Sequence, residues 1–140
     1  MGNDTVLRDY IPFFVALVFG VVGFVFFLFI KRARTRLPIE QGQKPLHEEY
    51  CGAILNNRKY SLPFVRFALY ENFLVISYFG KILLPLESIE VIRIRRRHLL
   101  PGLQIVHHQP DAPRDLFVWL SRMDRVRSLL EGRVSLDEVK

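Results

Sequence analysis

One cysteine, Cys51, stands in 140 residues. A chain with a single thiol forms no intramolecular disulfide, and so sparing a use of cysteine agrees with a reducing compartment. Signatures of catalysis are also missing: no P-loop, no G-x-S-x-G and no G-x-G-x-x-G occurs. The four histidines show no metal-ligand spacing. His107 and His108 are adjacent, so on a strand they point to opposite faces and cannot chelate one ion together. His47, His98 and Cys51 show no ligand spacing. Carboxylates are scattered, and the neighbouring Glu48-Glu49 fall at the end of a linker segment. Internal repeats and low-complexity tracts are absent. These absences argue against an enzyme and against a bound metal or cofactor, which leaves binding as the expected mode of action.

The longest absence is of charge. Residues 11–30 read IPFFVALVFGVVGFVFFLFI, with no charged side chain and seven of the twelve phenylalanines. At about 1.5 Å per residue, a helix of this length covers roughly the 30 Å hydrocarbon core of a bilayer. A cleaved signal peptide would need a basic start, a shorter apolar stretch and a small-x-small cleavage site. Here Asp4, Arg8 and Asp9 precede the run and KRARTR follows it directly. An uncleaved transmembrane helix over 11–30 is expected, with Pro12 tolerated in its first turn and Tyr10 at the interface. Side chains before the run sum to −1 (Arg8 against Asp4 and Asp9), whereas Lys31, Arg32, Arg34 and Arg36 give +4 after it. Positive flanks stay in the cytoplasm, so residues 1–10 are expected outside the cell (inner) membrane and the C-terminal part inside. Ala16 and Gly20 stand in small-xxx-small spacing, with Gly23 beyond them, which lets a second helix approach closely.

Residues 31–48 read as a basic juxtamembrane segment and linker, because LPIEQGQKPLHE has two prolines, a glycine and no apolar period. Residues 49–133 suffice for one small core, and 134–140 read as a tail. Seven strand-like runs fall at about 50–55, 65–70, 73–79, 81–86, 90–97, 103–108 and 115–120. In VRFALY, Val65, Phe67 and Leu69 lie on one face and Arg66, Ala68 and Tyr70 on the other. Glu71-Asn72 is a two-residue reversal and Gly80 another, while Pro101-Gly102 and Pro110 to Pro113 punctuate the later strands. In SRMDRVRSLLEGR, Ser121 and Asp124 make a capping-box pattern, Met123, Val126, Leu129 and Leu130 form an apolar stripe, and Gly132 is a stop. The pattern predicts a mainly β domain, a seven-stranded barrel or sandwich closed by a C-terminal helix.

Two stretches, FALYENFLVISYFGKILLPLESIEVIRIRR and DLFVWLSRMDRVRSLLE, carry a family resemblance. The first resembles the hairpin, short turn and following strand of bacterial PH-like and GRAM-type domains, in which an aliphatic strand leads through PLESI into the next. The second resembles their last strand and closing helix. The resemblance, to the pleckstrin-homology superfold, covers about residues 49–133. It implies a PH-like barrel and one of the roles that superfold hosts: lipid binding, peptide binding or scaffolding. Two features depart from the eukaryotic pattern. Trp119 precedes the closing helix instead of lying in it, and around Arg58, Lys59, Arg66 and Lys81 the basic-x-Arg triplet of phosphoinositide-binding members does not occur.

Three basic groups are candidate sites. Lys31, Arg32, Arg34 and Arg36 attract anionic headgroups, at about 1 kcal/mol each near the surface, or only set topology. Arg58, Lys59, Arg66 and Lys81 converge at one mouth of a PH-like barrel beside Leu62 and Phe64, or form an ordinary polar hairpin end. Arg93, Arg95 and Arg97 alternate with Ile92 and Ile94, with Arg96 and His98 extending the zone; they form an anion-binding face or guard a solvated sheet edge. Over 37–140 fifteen basic side chains face twelve acidic ones, a net +3, too mild to suggest nucleic acid. Two functions follow. One is an accessory or scaffolding subunit of a membrane-protein complex, its helix packed against another membrane protein. The other is an anionic-lipid-sensing module at the membrane surface. The expected partners are the bilayer, a membrane protein met through the helix, and an anionic lipid or acidic protein.

Overall fold

A computed structural model describes the backbone of residues 3–138 and side-chain surroundings from residue 10 onward. Its first element, α1 (Asn3–Arg34), runs past both ends of the apolar stretch. Nothing in NDTVLRDY breaks a helix, so the segment expected to lie outside is helical from Asn3 on. Pro12 therefore sits inside the helix instead of its first turn, and the carbonyl four residues earlier lacks its donor. At the other end, a residue before proline is pushed out of the helical region, and Leu37, preceding Pro38, is extended at φ −71°, ψ 154°. Tyr10–Arg34 spans 25 residues and contains a window of mean hydropathy 3.0, none of it buried. This helix is long and apolar enough to cross a membrane.

The segment read as a linker is folded. A 3-10 turn over Pro38–Glu40 leads to β1 (His47–Leu55). Then come β2 (Arg58–Leu69), β3 (Phe73–Ser77), β4 (Lys81–Pro85), β5 (Ile89–Arg97), β6 (Leu100–His107), β7 (Leu116–Trp119), α2 (Met123–Leu130) and β8 (Leu136–Glu138). The strands make one sheet in the order β4-β3-β2-β1-β7-β6-β5-β8, antiparallel except for β5–β8. Register shifts between Cys51 and Ala53 and between Ile89 and Val91, the kind of irregularity that bends strands. The sheet curls into a half-barrel. Ile82 and Leu84 near one edge share a core with Val65, Phe67 and Val118 in the middle and Ile92 near the other edge. Val126 and Leu130 of α2 are buried on that core, with Met123 and Leu129 packed beside them.

The sequence pattern needs correction in three further places. There are eight strands, because part of the expected tail pairs in parallel with β5: Leu136 faces Ile92 and Asp137 faces Arg93. Ser121 does not cap α2; its N–H and Oγ donate to the Glu49 carboxylate at 2.7 and 3.3 Å, tying the chain before α2 to β1. Pro101 and Gly102 lie within β6. Glycine is needed there, since a Cβ at 102 would fall 2.5 Å from Phe117 Cζ and from Val118 O. Two-residue left-handed turns stand at Asn56-Asn57 (φ 48° and 64°) and His98-Leu99 (φ 53° and 66°). Asparagine suits this conformation, whereas a bulky side chain in it costs about 1–2 kcal/mol.

Candidate functional site

The outer face of β2 and β3 carries the most unusual side chain of the domain. Strand alternation sends Arg66, Ala68 and Tyr70 away from the barrel core, where a half-exposed sheet would wet them. Instead all three are buried, together with Phe73 and Val75, because the segment after α1 lies over them. Leu37 packs on this cluster, and Glu40, carried on the 3-10 turn, is itself 0% exposed. Arg66 Nη2 donates to Glu40 Oε1 and Oε2 at 2.7 and 2.9 Å, and its Nη1 donates to Glu48 Oε1 at 3.0 Å. The Tyr70 hydroxyl donates to Glu40 Oε1 at 2.8 Å, and the Leu37 N–H donates to Glu40 Oε2. Arg36 Nη2 reaches Glu48 Oε2 at 3.1 Å from the wet side. Charges thus alternate from the end of α1 into the sheet: Arg36, Glu48, Arg66, Glu40.

Burial by itself pushes the Glu40 carboxyl up. Hydrogen bonds from the Leu37 N–H, Arg66 and Tyr70 outweigh it and hold the group below the ordinary carboxylate value. Burial likewise pulls the Arg66 guanidinium down, and its bonds to Glu48 and Glu40 more than compensate. Burial and the Glu40 charge push the Tyr70 phenol up. Both members of the buried pair are therefore charged at neutral pH. Such a pair adds little net stability, but removing one partner strands the other without water. Its effect here is geometric: it fastens the segment after α1 to the sheet.

A second contact lies higher on α1. Phe26 meets Phe64 of β2 edge-on at 5.2 Å between ring centroids, and Phe29 meets Phe79 of the β3–β4 turn at 4.6 Å. Arg34 lies over the Tyr50 ring at 5.5 Å. The helix, its basic flank and the domain are joined at three levels.

The expected basic mouth does not assemble. Arg66 is taken up in the buried cluster and offers nothing to a ligand. Arg58 and Lys59 start β2 just after the Asn56-Asn57 turn, and the Lys59 ammonium lies over the Trp119 ring at 5.6 Å. Lys81 opens β4 by a different cleft, lined with Asp111 and Arg114. Arg93, Arg95 and Arg97 do share one face of β5, but each has a partner. Arg93 is 3.7 Å from Asp137, Arg95 donates to Gln104 at 2.8 Å, and Arg97 is 3.6 Å from Asp115. Of the basic group at the end of α1, Arg34 and Arg36 are engaged by Tyr50 and Glu48, while Lys31 and Arg32 are exposed. Ala16, Gly20 and Gly23 are on an uncovered part of α1, with nothing within 4 Å of a Cβ built on either glycine. Among the described residues no three His, Cys, Asp or Glu side chains gather as metal ligands.

Sequence reasoning missed Glu40, Glu48 and Tyr70 as partners of Arg66. The one available signal was an arginine inside the otherwise apolar run VRFALY, and nothing local says what neutralises it. No protein-family model matches this chain, and no curated protein matches it either.

Proposed function

We propose that the chain is a single-pass membrane protein presenting a PH-like binding module on the cytoplasmic face, acting as an accessory or scaffolding subunit of a membrane-protein complex. The observation that carries this reading is the Arg66–Glu40–Glu48 cluster, which fixes the domain's orientation on the helix. A tethered sensor that swings between lipid and water needs a free linker. A subunit that holds a partner at a set height and angle needs a fixed one. Pairing of Arg93, Arg95 and Arg97 within the domain favours the same reading over anionic-lipid sensing, since a headgroup would have to displace Asp137, Gln104 and Asp115. The open strip at Ala16, Gly20 and Gly23 supplies a close-approach surface for a partner helix.

The test is crosslinking of the full-length chain in its native membrane, comparing wild type with Gly20→Leu. A discrete adduct larger than the monomer, lost in Gly20→Leu while the domain stays folded, is the expected result. Monomer alone in both proteins overturns the subunit reading.

A further inference from the structure

Helix α1 and the β-domain share one continuous apolar surface. A cleft of about 590 Å³ separates Val21, Val25 and Phe29 of α1 from Tyr60, Phe64 and Phe79. A second, of about 490 Å³, lies between Tyr60, Leu62, Leu100 and Trp119. Lys59, Tyr60 and Ser61 border both, so the surface runs unbroken from the helix to the β5–β6 turn. Large apolar side chains stand out from it: Leu62 is 66% exposed, Phe79 43%, Leu99 93% and Leu100 58%. Leu99 is also in the left-handed region, which bulky residues avoid. A turn shaped for water alone would carry asparagine or glycine there, as Asn56-Asn57 does.

We propose that this corner, formed by Leu62, Phe64, Phe79, Leu99 and Leu100, is seated in the headgroup–acyl boundary of the bilayer that α1 crosses. The proposal rests on reading α1 as a membrane span, and three observations carry it. Phe26 and Phe29 precede Arg34 by about 12 and 7.5 Å along the helix axis at about 1.5 Å per residue. The domain residues that touch them thus sit at or below the level of the basic flank. The uncharged run 11–30 is about 30 Å long against a hydrocarbon core of about 30 Å, so length alone demands no tilt, and interfacial anchors set its direction. Tilting toward the face that carries Phe64 and Phe79 brings the corner down onto lipid. Finally, the corner mixes aliphatic tips with Tyr60 and Trp119 and with Lys59 and His98. Aromatic and basic groups around an apolar centre are what the interfacial region takes up.

The experiment uses the full chain in phosphatidylcholine vesicles whose acyl chains carry bromine at a shallow or a deep position. Trp119, the only indole, reports on the corner, and Leu100→Trp in a Trp119→Phe background reports on its tip. Phe26→Trp in the same background reports on the helix. The expected result is loss of Trp119 and Leu100→Trp fluorescence with shallow bromine, and loss of Phe26→Trp fluorescence with bromine farther down. Leu99→Gly, which relieves the turn and so keeps the fold, should reduce the loss seen at Trp119. An unquenched Phe26→Trp indole overturns the membrane-span reading itself. A quenched Phe26→Trp with both corner indoles untouched by bromine overturns the seating alone, whether water or a protein covers the corner.

Discussion

Arg66 is where one side chain decides most. A guanidinium with 0% exposure survives only because two carboxylates meet it. Arg66→Met would leave Glu40 buried without its cation, at an expected cost of about 3–5 kcal/mol. Glu40→Gln should cost less, since the amide still accepts from Tyr70 and Glu48 still holds the guanidinium. The double variant should recover part of the Arg66→Met loss, giving a favourable coupling in a double-mutant cycle measured by denaturant unfolding in detergent. Additive losses would mean that the two side chains do not act as a pair. Acid probes the same carboxylate. Because the folded value of Glu40 is depressed below 4.5, its contribution is fully present above about pH 4.5 and is lost as pH falls through the depressed value. The thermal midpoint of the wild type should drop on that acid limb more steeply than that of Glu40→Gln. Parallel curves would assign the acid sensitivity to other groups.

Among the elements, β8 shows how little of a short strand is written in its own residues. Leu136–Glu138 is three residues long, and no alternation can be read from so few. It forms because β5 offers an open edge: Ile92 N–H donates to Ser135 O at 2.9 Å, and Asp137 stands across from Arg93. Truncation after Val134 should uncover that edge. Each lost backbone bond is worth about 1 kcal/mol net, so amide exchange at Ile92 and Ile94 should rise roughly fivefold or more, with β1 to β4 unchanged. Equal exchange in the truncated chain would make the strand incidental. The long helix and α2 are the opposite case. The uncharged run and the Met123, Val126, Leu130 stripe name their own elements, since each can bury or expose one face without knowing its neighbour.

At the scale of the whole molecule, the buried cluster turns two bodies into one. Helix and domain linked by about twelve coil residues would sample many orientations. Held through Glu40, Glu48 and the Phe26–Phe64 and Phe29–Phe79 contacts, they should keep one. Spin labels on engineered cysteines near the end of α1 and on the exposed face of α2 test this in vesicles. Native Cys51 does not interfere, because burial and the nearby Glu49 charge push its thiol well up and keep it unreactive. A narrow distance distribution is expected for wild type and a broad one for Arg66→Met. A broad wild-type distribution would show that the domain swings freely, and would favour the sensor over the subunit.

The sequence by itself determined the apolar helix, a mainly β domain after it, the hairpin at Glu71-Asn72 and the closing amphipathic helix. These follow from runs, alternation and turn residues that act within about ten positions of one another. Only the tertiary structure decided which basic residues stay open to a partner. Arg66 and Arg58 look alike in sequence; one is sealed under a segment 26 residues earlier and the other stands exposed at the start of β2. That difference arises because an ion pair between Glu40 and Arg66 depends on which face of a strand another segment covers. Neither local propensity nor hydrophobic period records such coverage.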